Sequence, residues 1–258
     1  MANNSDKKNH QQRAEQMRKE RDRADKRRRS GITVGIVVVV LALIAVAAFA
    51  VTNQVGKNNA PATVPSNINA DGGIVYDQEA ATGEAGDSDP VKVVIYEDFQ
   101  CPVCKAFESS LGGFLDQSVE KGDIQIEYRP IAFLDEMSST NYSTRSLNAA
   151  ACVVDEGGSK AFHALQKLLY ANQPEEGGNG LPESQLADFA QQAGTTNVES
   201  CIEDGTYEKW AQETTQASSD AEVTGTPTVM VDGKKVENSQ GGPPSQEQLQ
   251  KAIAAASK

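Results

Sequence analysis

Cysteine and histidine are scarce in this chain, with four Cys and two His among 258 residues. Only Cys101 and Cys104 stand close together, and the histidines are isolated at positions 10 and 163. No second close cysteine pair exists to complete a four-ligand zinc site. Lys105, not His, follows Cys104, which excludes the c-type haem attachment pattern. Neither a metal nor a cofactor is expected. Positive charge is also thin outside the N-terminus. Residues 1–30 hold 11 Lys/Arg against 5 Asp/Glu, a net of +6, so the rest carries −18 of the overall −12. An acidic body of this kind gives nucleic acid no electrostatic footing.

Apolar residues form one long run. Ile32 to Val51 is almost unbroken and has the length of a bilayer-spanning helix. Lys26, Arg27, Arg28 and Arg29 stand directly before it, which predicts a cytoplasmic N-terminus and an extracytoplasmic body. The other reading is a cleavable signal peptide, for which Ala48-Phe49-Ala50 offers a small-x-small site. The run exceeds the ~7–15 residues of a signal h-region and so favours a retained anchor. Both readings put the body where disulfides persist. The expected organisation is a basic cytoplasmic tail at 1–30, a transmembrane anchor at 31–51, a linker at 52–72 and a folded domain at 73–258, in a single-pass protein of the cell membrane.

The chemistry concentrates at Cys101-Pro102-Val103-Cys104. The apolar run Val91 to Tyr96 reads as a buried strand and Ala106 to Leu115 as a helix, so the pair sits where a strand meets a helix N-terminus. Pro102 suits the first helical turn, where its missing N–H is no loss. Cys101 then meets the positive end of the helix dipole, which favours thiolate, the attacking species in disulfide exchange. Cys104, one turn further in, is expected to be the less accessible sulfur. A purely structural bridge across so small a loop would restrain the unfolded chain very little.

Elsewhere the periodicity separates three regions. Gly73 to Tyr76 reads as a short strand, residues 77–90 as a loop, and Asp123 to Arg129 alternates as a strand. From about 138 to 219 the apolar spacing becomes helical, as in Leu147, Ala150, Ala151 and Val154, with loop chemistry at Gly157-Gly158 and between Pro174 and Pro182. Strand signals return at Thr226 to Val231, with an Asp232-Gly233 hairpin turn and a return strand at Lys234 to Val236. Ser245 is placed to cap a final helix. His163 reads as a surface or helix-packing residue, and Trp210 as core.

This order resembles the thioredoxin fold with the helical insertion of DsbA-like thiol–disulfide oxidoreductases. The stretch Glu97-Asp98-Phe99-Gln100-Cys101-Pro102-Val103-Cys104 is similar to the active-site segment of their membrane-anchored actinobacterial members. The resemblance covers residues 73 to 257 and rests on that segment together with Thr226-Pro227 downstream. It implies an α/β fold in which Cys101 and Cys104 are catalytic. It implies that Pro227 is a cis-proline whose neighbour Thr226 presents its main chain beside Cys101. An ordinary trans proline at a strand start is the alternative. Ile95 stands where many thioredoxin-fold proteins carry a buried acid, which leaves Glu97 as either a proton relay to Cys104 or a solvated charge. Val103 replaces the His of strongly oxidising members, so a less acidic Cys101 is expected than theirs.

Cys152 and Cys201 both fall in the helical insertion. They are expected to pair, as a second disulfide does in some family members, two buried free thiols being the other possibility. The resemblance implies a monomeric oxidase that passes its disulfide to unfolded exported proteins and is reoxidised by a membrane partner of the DsbB or VKOR type. A reductase or isomerase, and a non-catalytic binding or holdase module, are the competing functions.

Overall fold

The computed structural model describes residues 61–86 and 89–257. The basic tail, the expected membrane span and residues 52–60 of the expected linker lie outside them. Among the described residues no helix is long and apolar enough to cross a membrane.

Five strands make one sheet in the order β1-β3-β2-β4-β5. These are β1 (Ile74–Tyr76), β2 (Val91–Glu97), β3 (Ile124–Pro130), β4 (Thr228–Val231) and β5 (Lys234–Val236). β2 and β3 run parallel, and every other pairing is antiparallel. The central position of β2 explains its unbroken apolar run. Val93 and Ile95 enter the main core on one face, while Val94 and Tyr96 join Ile131 and Val223 on the other. The hairpin between β4 and β5 turns at Asp232 and Gly233, both with positive φ, as a two-residue turn matched to strand twist demands.

Two helices follow the first two strands. α1 (Gln78–Thr82) occupies part of the stretch read as loop. It forms because the Asp77 carboxylate accepts the Ala80 N–H, a short-range cap that an acidic, glycine-rich composition conceals. α2 (Pro102–Glu120) opens at the cysteine pair and extends at both ends beyond the expected Ala106 to Leu115. Its Phe107, Leu111, Leu115 and Val119 recur every four residues and are buried beneath the sheet.

The helical insertion comprises α3 (Tyr142–Ala171), α4 (Glu183–Gln192), α5 (Glu199–Glu203) and α6 (Glu208–Asp220). α3 is continuous except at Gly158, whose φ of 67° breaks the helical geometry. The neighbouring Gly157 has room for no side chain, because a Cβ there would stand 2.6 Å from that of Ala161. Gly158 therefore divides this stretch into two helices that meet at a kink, as the Gly157-Gly158 pair suggests. Both ends of α3 reach Asp98 in the loop between β2 and α2, through Ser143 at its start and Tyr170 at its end. Its kink lies at the opposite pole. Residues 61–72, read as linker, dock near that pole. Ser66 N–H donates to Asp155 Oδ1 and Asn67 Nδ2 to the Val154 carbonyl, while Ile68 packs on the core. α7 (Gln246–Ala256) closes the fold behind a full capping box formed by Ser245 and Gln248.

Candidate active site

The site forms where β2 ends and α2 begins. Cys101 is the N-cap residue of α2 and Pro102 its first helical residue. The loop before it is tied down from three sides. Asp98, fully buried, accepts from Gln100 N–H (2.8 Å), from the Ser143 hydroxyl (2.7 Å) and from Leu134 N–H (2.9 Å). The Asp98 carbonyl in turn accepts the Cys101 N–H at 2.9 Å. Gln173 Nε2, just beyond α3, donates to the carbonyls of Phe99 (2.9 Å) and Cys101 (3.0 Å). Three of these anchors come from the insertion or its approach, so the helical region holds the loop before Cys101 as well as covering it.

β4 supplies the other wall. Tyr96 pairs with Thr228 in antiparallel register, which carries Thr226 and Pro227 alongside the residues after β2. The Thr226–Pro227 bond is cis. Cys101 Sγ lies 3.4 Å from the Thr226 carbonyl oxygen. Cys101 and Cys104 are both free thiols, and both are buried. Cys104 is the less accessible of the two, as expected, at 0% exposure against 6% for Cys101. Its neighbour Val103 is 46% exposed and shares a cleft of about 360 Å³ with Thr226, Pro227, Val236 and Pro243.

The two sulfurs are electrostatically unlike. The Cys101 thiol is lowered from 9.0 to about 6, first by the hydrogen bond from the Cys104 thiol, then by the Thr226 side chain and the backbone N–H groups of Cys104 and Val103, against an opposing contribution from burial. The Cys104 thiol is pushed well up by burial, with its bond to Cys101 and the negative charges of Cys101 and Glu97 adding to it. The pair therefore holds one proton between them, on Cys104, with the charge on Cys101.

This asymmetric dithiol, at a strand-to-helix junction and facing a cis-proline across the sheet, is matched by the comparisons. Residues 81–255 match the thioredoxin family. The chain belongs to that family. Among solved structures it is similar to the disulfide bond oxidoreductase DsbG of Mycobacterium tuberculosis, with 30% identity and a TM-score of 0.56, covering 72% of this chain and 94% of that one. It is similar to DsbA of the same organism, with 29% identity, a TM-score of 0.56, and coverage of 71% and 98%. BdbD of Bacillus subtilis shares the fold, with 20% identity and a TM-score of 0.60 over 76% and 98% of the two chains. A segment covering 58% of this chain is 30% identical to the serine/threonine-protein kinase PknE of M. tuberculosis, and it spans only 28% of that curated relative's length.

Within this family's frame the remaining candidate residues fall into place. Glu97 is 1% exposed, which removes the solvated-charge alternative. Its carboxyl is raised well above the ordinary range by burial and by Glu108, and Gln166 Nε2 donates to both its oxygens at 2.8 and 2.9 Å. Asp98 is lifted to about 6 by burial, with its three donors pulling the other way. Glu108, one helical turn beyond Cys104, is lifted by burial to about 7, and its Oε1 has no hydrogen-bond partner among the described residues. Sequence reasoning passed over Asp98, Glu108, Gln166 and Gln173. Asp98 and Gln166 look like surface residues until the fold buries them, and Glu108 and Gln173 end half-buried.

Cys152 and Cys201 are joined in a disulfide, with their Cα atoms 6.0 Å apart. It links α3 to α5 within the insertion and takes no part in the Cys101 site. Trp210 is core, at 4% exposure. Of the two readings of His163, the packing one holds: it is buried and stacked on Tyr76 at 4.1 Å. Among the described residues no group of His, Cys, Asp and Glu is arranged to hold a metal ion.

Proposed function

We propose that this chain is an extracytoplasmic thiol–disulfide oxidoreductase working as an oxidase on exported proteins. The observation that carries the reading is the division of labour between the sulfurs, with Cys101 held toward thiolate and Cys104 held toward thiol. A substrate thiolate attacks Sγ of Cys101 in the oxidised enzyme. The Cys101–Cys104 bond breaks, a mixed disulfide forms at Cys101, and its electron pair leaves on Cys104. Cys104 takes up a proton, for which buried Glu97, whose charge acts on Cys104, is the assigned source. A second substrate thiolate then attacks its own sulfur in the mixed disulfide and expels Cys101, a good leaving group because its thiolate is stabilised. The substrate gains one disulfide and the enzyme gains the two electrons.

The cleft beside Val103, Thr226 and Pro227 suits an extended, apolar-flanked cysteine segment of an unfolded chain, paired along the backbone as an added strand. Reoxidation is assigned to a membrane disulfide-generating partner of the DsbB or VKOR type, and the apolar run at 31–51 to an anchor that holds a monomeric enzyme beside it. A reductive direction has one specific observation in its favour. A Cys101 thiol near 6 is closer to the ~7 of thioredoxin than to the ~3.5 of the strongest bacterial oxidant.

The deciding experiment is refolding of a reduced multi-cysteine protein by the oxidised enzyme, with Cys101→Ala in parallel, alongside equilibration of the enzyme with glutathione. An oxidase accelerates disulfide formation stoichiometrically and is mostly reduced in an exporting compartment's glutathione buffer. No acceleration, with a potential near the roughly −270 mV of thioredoxin, would assign the reductive direction.

A further inference from the structure

Asp98 stands three residues before Cys101 and is 0% exposed. Its carboxylate and its carbonyl close the same tight turn. Oδ1 accepts the Gln100 N–H at 2.8 Å, and the carbonyl accepts the Cys101 N–H at 2.9 Å. The side chain thus reaches forward along the chain, and its oxygen rests on the residue bonded to Cys101. The Ser143 hydroxyl adds a second bond to Oδ1 at 2.7 Å, and the Leu134 N–H holds Oδ2 at 2.9 Å. A carboxyl group fixed from three segments cannot turn away from the sulfur.

Two of its three side-chain partners are N–H groups, which only donate, and the third is a hydroxyl able to do so. The ionised carboxylate is the form they serve best. Burial opposes them and leaves Asp98 at about 6, so above that pH a negative charge stands in the turn. Solvent screens it little, and the charge of Cys101 acts on it in return. The Cys101 sulfur is therefore under two opposed influences. The first turn of α2 and the Cys104 thiol favour its thiolate, whereas a like charge held within the same turn disfavours it.

We propose that Asp98 is a positioning residue that restrains the Cys101 thiolate: the turn fixes its buried carboxylate beside the sulfur, and this charge limits how strongly the enzyme oxidises. The proposal rests on the reading that Cys101 is the attacked sulfur. A thiolate at Cys101 exists only in the reduced enzyme. A charge that opposes it destabilises the reduced form and weakens the pull of the disulfide on electrons. Other groups also face the pair. Asp98 is met by Glu97 from β2, by Tyr142 and Tyr170 from α3 and, at its backbone, by Cys104 from α2. Cys101 is met by Cys104 and by Thr226.

The test is the pH dependence of iodoacetamide uptake at Cys101 in the reduced full-length protein, with and without Asp98→Asn. Asn keeps the size and loses the charge, and either placing of its amide sets an NH2 against a backbone N–H of Leu134 or Gln100. Charge and anchorage predict opposite signs. Losing the charge should move the Cys101 midpoint to lower pH and shift the equilibrium with glutathione toward reduced enzyme. Losing only an anchor would loosen the turn, take N–H donors from the thiolate and move the midpoint to higher pH. A midpoint that rises or stays in place overturns the proposal. If Asp98→Asn fails to fold, the reciprocal measurement decides. The Asp98 carboxyl carbon is followed across pH by 13C NMR in the reduced protein and in reduced Cys101→Ser. Its midpoint should be lower in Cys101→Ser, which has no thiolate at that position, and equal midpoints overturn the proposal. These readouts need no turnover, so they succeed or fail apart from the oxidase assay.

Discussion

The sulfur of Cys101 and the carbonyl oxygen of Thr226 stand 3.4 Å apart across 125 residues of chain. A carbonyl only accepts, so this contact suits the thiol form of Cys101. The Cys104 thiol and the amides of Val103 and Cys104 donate, and so suit the thiolate. The site is thereby furnished for both states of one sulfur, as a disulfide-exchange centre requires.

Alkylation should separate the two cysteines. At pH 6 to 7 the reduced protein should take up iodoacetamide at Cys101 and not at Cys104, because Cys101 is lowered to about 6 and Cys104 is raised. The rate should fall as pH drops through about 6. Mass-spectrometric mapping of the adducts reads this directly, and preferential labelling of Cys104 would reverse the assigned roles.

The stability gap between redox states should depend on pH. Cys101 is depressed in the folded protein, from 9.0 to about 6, so its contribution is full above the unfolded value and is lost as pH falls through about 6. Between pH 6 and pH 9 the reduced form should gain stability relative to the oxidised form, which has no such thiol, by about 3 kcal/mol. Paired thermal melts across this range test it, and a constant gap would contradict the stabilised thiolate.

Glu108 should work in the opposite sense. Its folded value is raised from 4.5 to about 7, so the folded state binds more protons in that window and stability falls as pH rises through it. Glu108→Gln should remove this loss and stabilise the protein at pH 7.5 by up to about 3 kcal/mol, with little change at pH 4.5. Denaturant titrations at the two pH values would show it. A loss of stability at pH 7.5 would mean that the carboxylate is satisfied where it lies.

The Cys152–Cys201 bridge closes a separation of 49 residues, for which chain entropy assigns about 4 kcal/mol. Cys152→Ser should lower the thermal midpoint accordingly and leave the alkylation rate of Cys101 close to that of the unsubstituted protein. If Cys101 reactivity falls with stability, the bridge supports the catalytic loop through α3.

Much of the fold is legible in local sequence, because short-range physics sets it. The buried strand at Val91 to Tyr96, the Asp232-Gly233 hairpin, the Ser245 cap and Pro102 at a helix start each depend on a few neighbouring residues. So does the pairing of a helix end with Cys101, since the dipole and the free amides belong to α2 itself.

What the sequence could not reveal was decided by contacts between distant elements. Glu97, Asp98, Glu108 and His163 are ordinary polar residues in their local settings. Only tertiary packing around α2 and α3 buries Glu97, Asp98 and His163, half-buries Glu108 and lifts the three carboxyls. The burial of Cys101 beneath Thr226 has the same origin, since it follows from the register of β4 on β2. Local sequence therefore determined which sulfur stands at the helix end. Tertiary structure decided the protonation of both sulfurs, because desolvation and hydrogen bonding act through space.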